Sequence, residues 1–185
     1  MKHQKIFSLN VMALCCVLGL LSKKLINPFA NIITDSLHIP GGLSAGFSIL
    51  FLVIAAELVQ LPHCGLMMGA VQGLLALVTG RVGSMGLLSP IGYLLPGLVI
   101  DLVYRISSPF SLSRTDRTVL SNSGAAAAAS MAANLIVFRL PGPALCLYLG
   151  VSATAGAFYG LLASSITARI DAAWKQYHTQ EGPAA

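Results

Sequence analysis

Residues 49–56 read Ile-Leu-Phe-Leu-Val-Ile-Ala-Ala, apolar at every position. A strand of a membrane barrel alternates lipid-facing and lumen-facing residues over about 10 positions. A run with no polar face does not fit that alternation and predicts a helix that is apolar all round. The rest of the chain is of the same kind, with 56% hydrophobic and 9% charged residues. A soluble domain carries about 25% charged residues. Six acidic residues among 185 are too few to cover a water-facing surface of this size. A soluble globular domain, a disordered tail and a disulfide-rich secreted module are therefore excluded. What remains is an integral membrane protein.

A helix crosses the hydrocarbon core with roughly 20 residues, so a chain of this length has room for about six spans. Charges and Pro/Gly clusters mark them at about 6–21, 43–59, 64–80, 85–104, 119–138 and 144–166. The expected fold is an all-α membrane protein, a bundle of six transmembrane helices forming a single domain over residues 1–185. The basic head and the apolar run after it resemble a signal peptide. Lys23 and Lys24 follow instead of a small-residue cleavage site, so the first helix is expected to be retained.

Six spans place both termini on one side. That side collects Lys2, Lys5, Arg105, Arg114, Arg117, Arg169 and Lys175, seven basic residues against four (Lys23, Lys24, Arg81 and Arg139) on the other. The positive-inside bias puts both ends in the cytoplasm, with Trp174 at the headgroups. This topology accounts for the net charge of +5 without a nucleic-acid partner. Cys15, Cys16, Cys64 and Cys146 have no metal-ligand or redox spacing and read as small apolar residues within the spans.

Small residues recur at helical spacing. The third span carries Gly65, Gly69 and Gly73, the sixth carries Gly156 and Gly160, and the fifth is rich in alanine. Such stripes let helices in lipid approach closely, within the chain or against a partner.

Polar groups inside spans are functional candidates, sorted by depth. Glu57 and Asp101 fall near the cytoplasmic ends of their spans, and Asp101 has Arg105 at an i, i+4 ion-pair spacing, so both read as interfacial. The outer half differs. A 16-residue segment, 27–42, reads as a long first external loop that packs down on the bundle through Phe29, Ile32, Ile33, Leu37 and Ile39. It carries Asn31, Asp35 and His38. Beneath it lie Ser89 and Tyr93, Tyr148 and Ser152 (each pair at i, i+4), Asn134, Gln72 and Tyr159. Apolar walls with a few directed polar groups and aromatic rings form the usual ligand pocket. The expected ligand is an uncharged or zwitterionic small molecule with a flat ring.

Motifs for chemistry are missing. The sequence has no G-x-x-x-x-G-K-[ST] phosphate loop, no H-E-x-x-H and no G-x-S-x-G. The acids lie near span ends rather than at mid-membrane. The expectation is a non-enzyme without cofactor or metal.

Length, span number, the long first external loop, the segment from Pro40 to Ile49 (Pro-Gly-Gly-Leu-Ser-Ala-Gly-Phe-Ser-Ile), the Gly-rich third span and the segment from Ser84 to Asp101 occur in one order along the chain. In this the whole chain resembles the substrate-binding S-components of energy-coupling-factor (ECF) transporters, the bacterial vitamin and micronutrient uptake systems. The resemblance implies capture of a vitamin at the outer face, beneath the first loop and among spans four to six. It also implies docking on a separate transmembrane coupling protein with two cytoplasmic ATPases, which drive uptake. In that family helix one docks through Ala-x-x-x-Ala. The nearest residues here are Ala13, Cys15 and Gly19, which depart from the motif. The N-terminal histidine pattern of nickel and cobalt members is absent, and a thiamine-like heterocycle is the first guess at a substrate. The rival reading is a small membrane scaffold or assembly subunit without a small-molecule ligand, its glycine stripes serving as partner contacts.

Overall fold

A computed structural model describes residues 2–37, 43–80, 86, 88–139 and 142–180, with side chains at 2–5, 27, 28, 30, 31, 33–37, 43, 44, 137, 138 and 178–180 outside that description. The elements are α1 (Lys2–Leu37), α2 (Leu43–Val59), α3 (Cys64–Val78), α4 (Ser89–Ser107), α5 (Arg114–Ala133) and α6 (Gly142–Gln180). Among the described residues there is no strand. Three stretches are long and apolar enough to cross a membrane: Ile6–Ile26, Ser89–Ser107 and Gly142–Tyr177. Helices α2 and α3, of 17 and 15 residues, are apolar but shorter, whereas α1 and α6 run to 36 and 39.

The apolar run of α2 explains its place. Ile49, Leu50, Leu52, Val53, Ile54, Ala55 and Ala56 are each 5% exposed or less, because α2 touches all five other helices. A helix that is hydrophobic all round is stable only when surrounded. The chain then winds up and down about this axis. Phe7 near the start of α1 and Trp174 near the end of α6 stack with ring centroids 4.7 Å apart, so both termini leave from one end of the bundle. We call this the terminal end and the opposite one the far end.

The glycine stripes are consumed inside the bundle. A Cβ on Gly65 would lie 2.6 Å from the Gly97 carbonyl oxygen, and one on Gly160 would lie 2.6 Å from Val119 Cα. Close backbone approach thus builds two hairpins, α3 with α4 and α5 with α6. Side-chain bonds reinforce the second. The Ser123 hydroxyl donates to the Ala153 carbonyl (2.9 Å), and the Ser152 hydroxyl to that of Ala126 (2.8 Å).

One expectation is corrected. The segment 27–42, read as an external loop, is helical as far as Leu37. The loop reading ended the first span at about residue 21, before Lys23 and Lys24, and opened the loop on Asn27-Pro28. A proline inside a membrane helix removes one backbone bond, which neighbouring groups re-satisfy. Leu25, Phe29, Ile32, Ile33 and Leu37 recur at helical spacing, the pattern that prevails. At its own far end α5 closes with a π-helical turn, Asn134–Phe138, where the Arg139 amide donates to the Asn134 carbonyl at 2.7 Å.

Candidate functional site

At the terminal end Glu57 lies two residues before the end of α2 and is buried within the bundle, its side chain 1% exposed. The Tyr104 hydroxyl of α4 donates to its Oε2 (2.7 Å), and Arg117 Nη2 of α5 to its Oε1 (2.8 Å). Arg114 Nε stands 3.3 Å from the same Oε1, and Arg114 also pairs with Asp171 of α6. One carboxylate therefore ties α2, α4, α5 and α6 together. A buried carboxylate persists only when it is paired and hydrogen-bonded in this way.

Asp101 departs from its expected i, i+4 partner. Its Oδ1 accepts from the Gly65 amide (2.9 Å) and its Oδ2 from the Leu66 amide (2.8 Å). Helix α3 begins at Cys64, and its N-cap residue, His63, makes no side-chain capping bond. Asp101 supplies that cap from the neighbouring helix, placing a negative charge at the positive end of the α3 dipole. Around these groups opens a cavity of about 790 Å³, lined by Gln60, His63, Asp101, Tyr104, Arg105 and Arg117 together with apolar side chains of the two adjoining turns.

The sequence-picked residues occupy the rest of the bundle. Gln72 is buried in α3, its amide donating to the Cys16 carbonyl at 3.4 Å. Ser89 is buried in the first turn of α4, and its hydroxyl has no hydrogen-bond partner. Tyr93 lies half-buried one turn further on, with the Lys23 ammonium 3.7 Å from its ring centroid. Ser152 is fully buried and spent on the α5–α6 bond already described. Asn134 donates to the Ser130 carbonyl at 2.8 Å, leaving its Oδ1 unpartnered, and Tyr148 is half-buried on α6. Asn31 and Asp35 belong to the last turns of α1 with side chains outside the described residues, and His38 lies outside them altogether. The structure thus links α1 to α3 through Gln72 and α1 to α4 through Tyr93, while Ser152 and Asn134 bond to their own helix pair.

The candidate docking stripe divides. Ala13 is exposed, but Cys15 is buried and Gly19 faces the Gln72 side chain, so the latter two point into the bundle. Of the cysteines, Cys15, Cys16 and Cys64 are buried and Cys146 is exposed. Among the described residues no three His, Cys, Asp or Glu side chains gather as a metal-ion site.

Two residues were missed by sequence reasoning. Asn122 is fully buried and donates to the carbonyls of Gly46 (3.2 Å) and Gly156 (2.7 Å), pinning α2, α5 and α6. An asparagine within an apolar span was the available signal. Lys23 was counted only as a topological charge, although it ends an apolar run beside Lys24.

Five helices around a largely apolar sixth, with three of the six long and apolar enough to cross a bilayer, make the described residues an all-helical fold of the membrane-protein kind. No family model matches the chain, and neither does a curated protein or a solved structure.

Proposed function

We propose that this chain is the substrate-capturing S-component of an ECF-type ABC transporter, sitting in a bacterial plasma membrane with both termini in the cytoplasm. It takes a vitamin or related micronutrient from outside and passes it inward through a separate coupling protein driven by two ATPases. The observation that supports the reading is that α1 meets α3 through Gln72 and α4 through Lys23 over the Tyr93 ring, with the buried Ser89 hydroxyl, one helical turn before Tyr93, lacking a partner. The terminal-end cavity is the poorer capture site, because Glu57, Asp101 and Arg117 on or beneath its walls are already bound to one another or to backbone. The chain holds no phosphate loop of its own, and in this reading partner ATPases supply the energy.

The scaffold reading draws on the glycine stripes, and Gly65, Gly69, Gly73, Gly156 and Gly160 all face other helices of this chain. Native mass spectrometry of the tagged protein, gently extracted from its own membranes, separates the two. A complex with one integral partner and two ATPases is the expected result, and a bare chain or a partner without ATPases overturns it. Within the complex, Tyr93→Ala should weaken binding of the captured molecule by about tenfold, the scale of a lost aromatic contact. Tyr148→Ala, on α6 and away from that meeting, should leave binding close to wild type.

A further inference from the structure

Two adjacent lysines end the apolar run of α1 and behave differently. Lys24 is exposed, as a side chain reaching for the headgroups would be. Lys23 is half-buried and turned inward, its ammonium over the Tyr93 ring. Contact with a ring face steadies an ammonium but does not neutralise it. A charge at this depth ordinarily has a partner of opposite sign.

Lys23 has none among the described residues, and the acids of the chain explain why. Glu57, Asp101, Asp116 and Asp171 are all at the terminal end, each with its own donor. Glu181 follows α6 outside the described residues. Asp35 lies on α1 itself, twelve positions beyond Lys23. At 1.5 Å per residue that is about 18 Å along the axis, out of reach of an ion pair.

The neighbouring donors are idle as well. The buried Ser89 hydroxyl is unpartnered, and it precedes Tyr93 by one turn, about 6 Å of rise, on the same face of α4. The N-cap of α4 is Leu88, with no side-chain capping bond, and Pro90 follows at the second position, so among the described residues no side chain accepts from the remaining first-turn amides of this 19-residue helix, those of Ser89 and Ile91. A helix amino end of that kind carries a positive partial charge and favours an anion. An inward cation, a spare buried hydroxyl and an open helix end thus flank one aromatic ring.

We infer that the far end recognises its substrate through an oxyanion, a carboxylate or a phosphate, received by Lys23, Ser89 and the amino end of α4, with Tyr93 against the body of the molecule. The inference rests on the transport reading and changes the ligand expected from sequence, an uncharged or zwitterionic one, to an acid. Removing Lys23 takes away one partner of a desolvated charge pair, a loss of roughly 30-fold or more in affinity.

The test begins with native mass spectrometry of the full-length wild-type chain from its own membranes, identifying the non-lipid small molecule it retains. That recovered compound is then titrated against wild type, Lys23→Met, Lys23→Arg and Ser89→Ala. Recovery of a carboxylic acid or phosphate ester, with affinity lost in Lys23→Met, largely kept in Lys23→Arg and weakened in Ser89→Ala, is the expected result. The recovered mass tells carboxylate from phosphate. A retained molecule bearing neither group overturns the inference and leaves the transport reading standing, as does unchanged affinity in Lys23→Met. Should Lys23→Met fail to fold, Ser89→Ala decides, with wild-type affinity counting against the site. A chain that carries no small molecule and flies without ATPases removes both.

Discussion

The two ends of the bundle treat charge in opposite ways. At the terminal end Glu57 accepts from Tyr104 and Arg117, Arg114 bridges it to Asp171, and Asp101 caps α3. At the far end a lysine leans on a ring, a serine hydroxyl is buried without a partner, and no side chain among the described residues caps the amino end of α4. Satisfied networks stiffen a structure, whereas unsatisfied buried groups cost stability unless something else answers them. The first end has the chemistry of a clamp, and the second is where the proposed receptor site lies.

Removing charges one at a time should expose the asymmetry. The largest effect is expected at the clamp. Glu57→Ala leaves Arg117 and Arg114 without their shared carboxylate and should lower stability by about 3 kcal/mol, read as a fall in thermal midpoint of the purified protein. A midpoint within error of wild type would show the network to be ornamental. Asp101→Ala should cost less, about 1–2 kcal/mol as for a lost helix cap, and the damage should be local. Cys64, 1% exposed at the start of α3, should react faster with maleimide in that variant, while the exposed Cys146 serves as internal reference. Equal Cys64 labelling in both proteins would assign the start of α3 to other forces. The smallest effect belongs to the receptor end. Ser89→Ala deletes a hydroxyl that bonds to nothing and should change stability by less than about 0.5 kcal/mol, in contrast to its effect on binding. A clear loss of stability there would mean that the hydroxyl has a partner in the membrane.

Much of the architecture was legible because lipid simplifies the code. The central position of α2 follows from residues 49–56 alone, and the inward faces of α3 and α6 from their glycines. The extension of α1 was hidden by Pro28, a strong breaker in water that matters less in a bilayer. The site was harder to read. Local spacing paired Asp101 with Arg105, but its real partners are amides 35 and 36 residues away, brought near by the crossing of Gly65 and Gly97. Glu57 and Arg117 are 60 residues apart, and no periodicity links them. Ser152 and Asn134 lay at the right depth, yet depth does not tell a ligand contact from a bond between helices. Lys23 was visible throughout, but its direction was not, since successive helical residues point about 100° apart.

The unequal helix lengths have a mechanical side. Fifteen residues of α3 span only about 22 Å, while the hydrocarbon slab is about 30 Å thick. Helices α1 and α6, at about 54 and 58 Å, overshoot it. If all six helices cross the bilayer as proposed, the short flank at α3 is met by thinning of the adjacent lipid or by a lean of the bundle, at a fraction of a kcal/mol per ångström of mismatch. Membrane thickness would then act on this protein as a torque, its resting tilt a property of the surrounding lipid as much as of the chain.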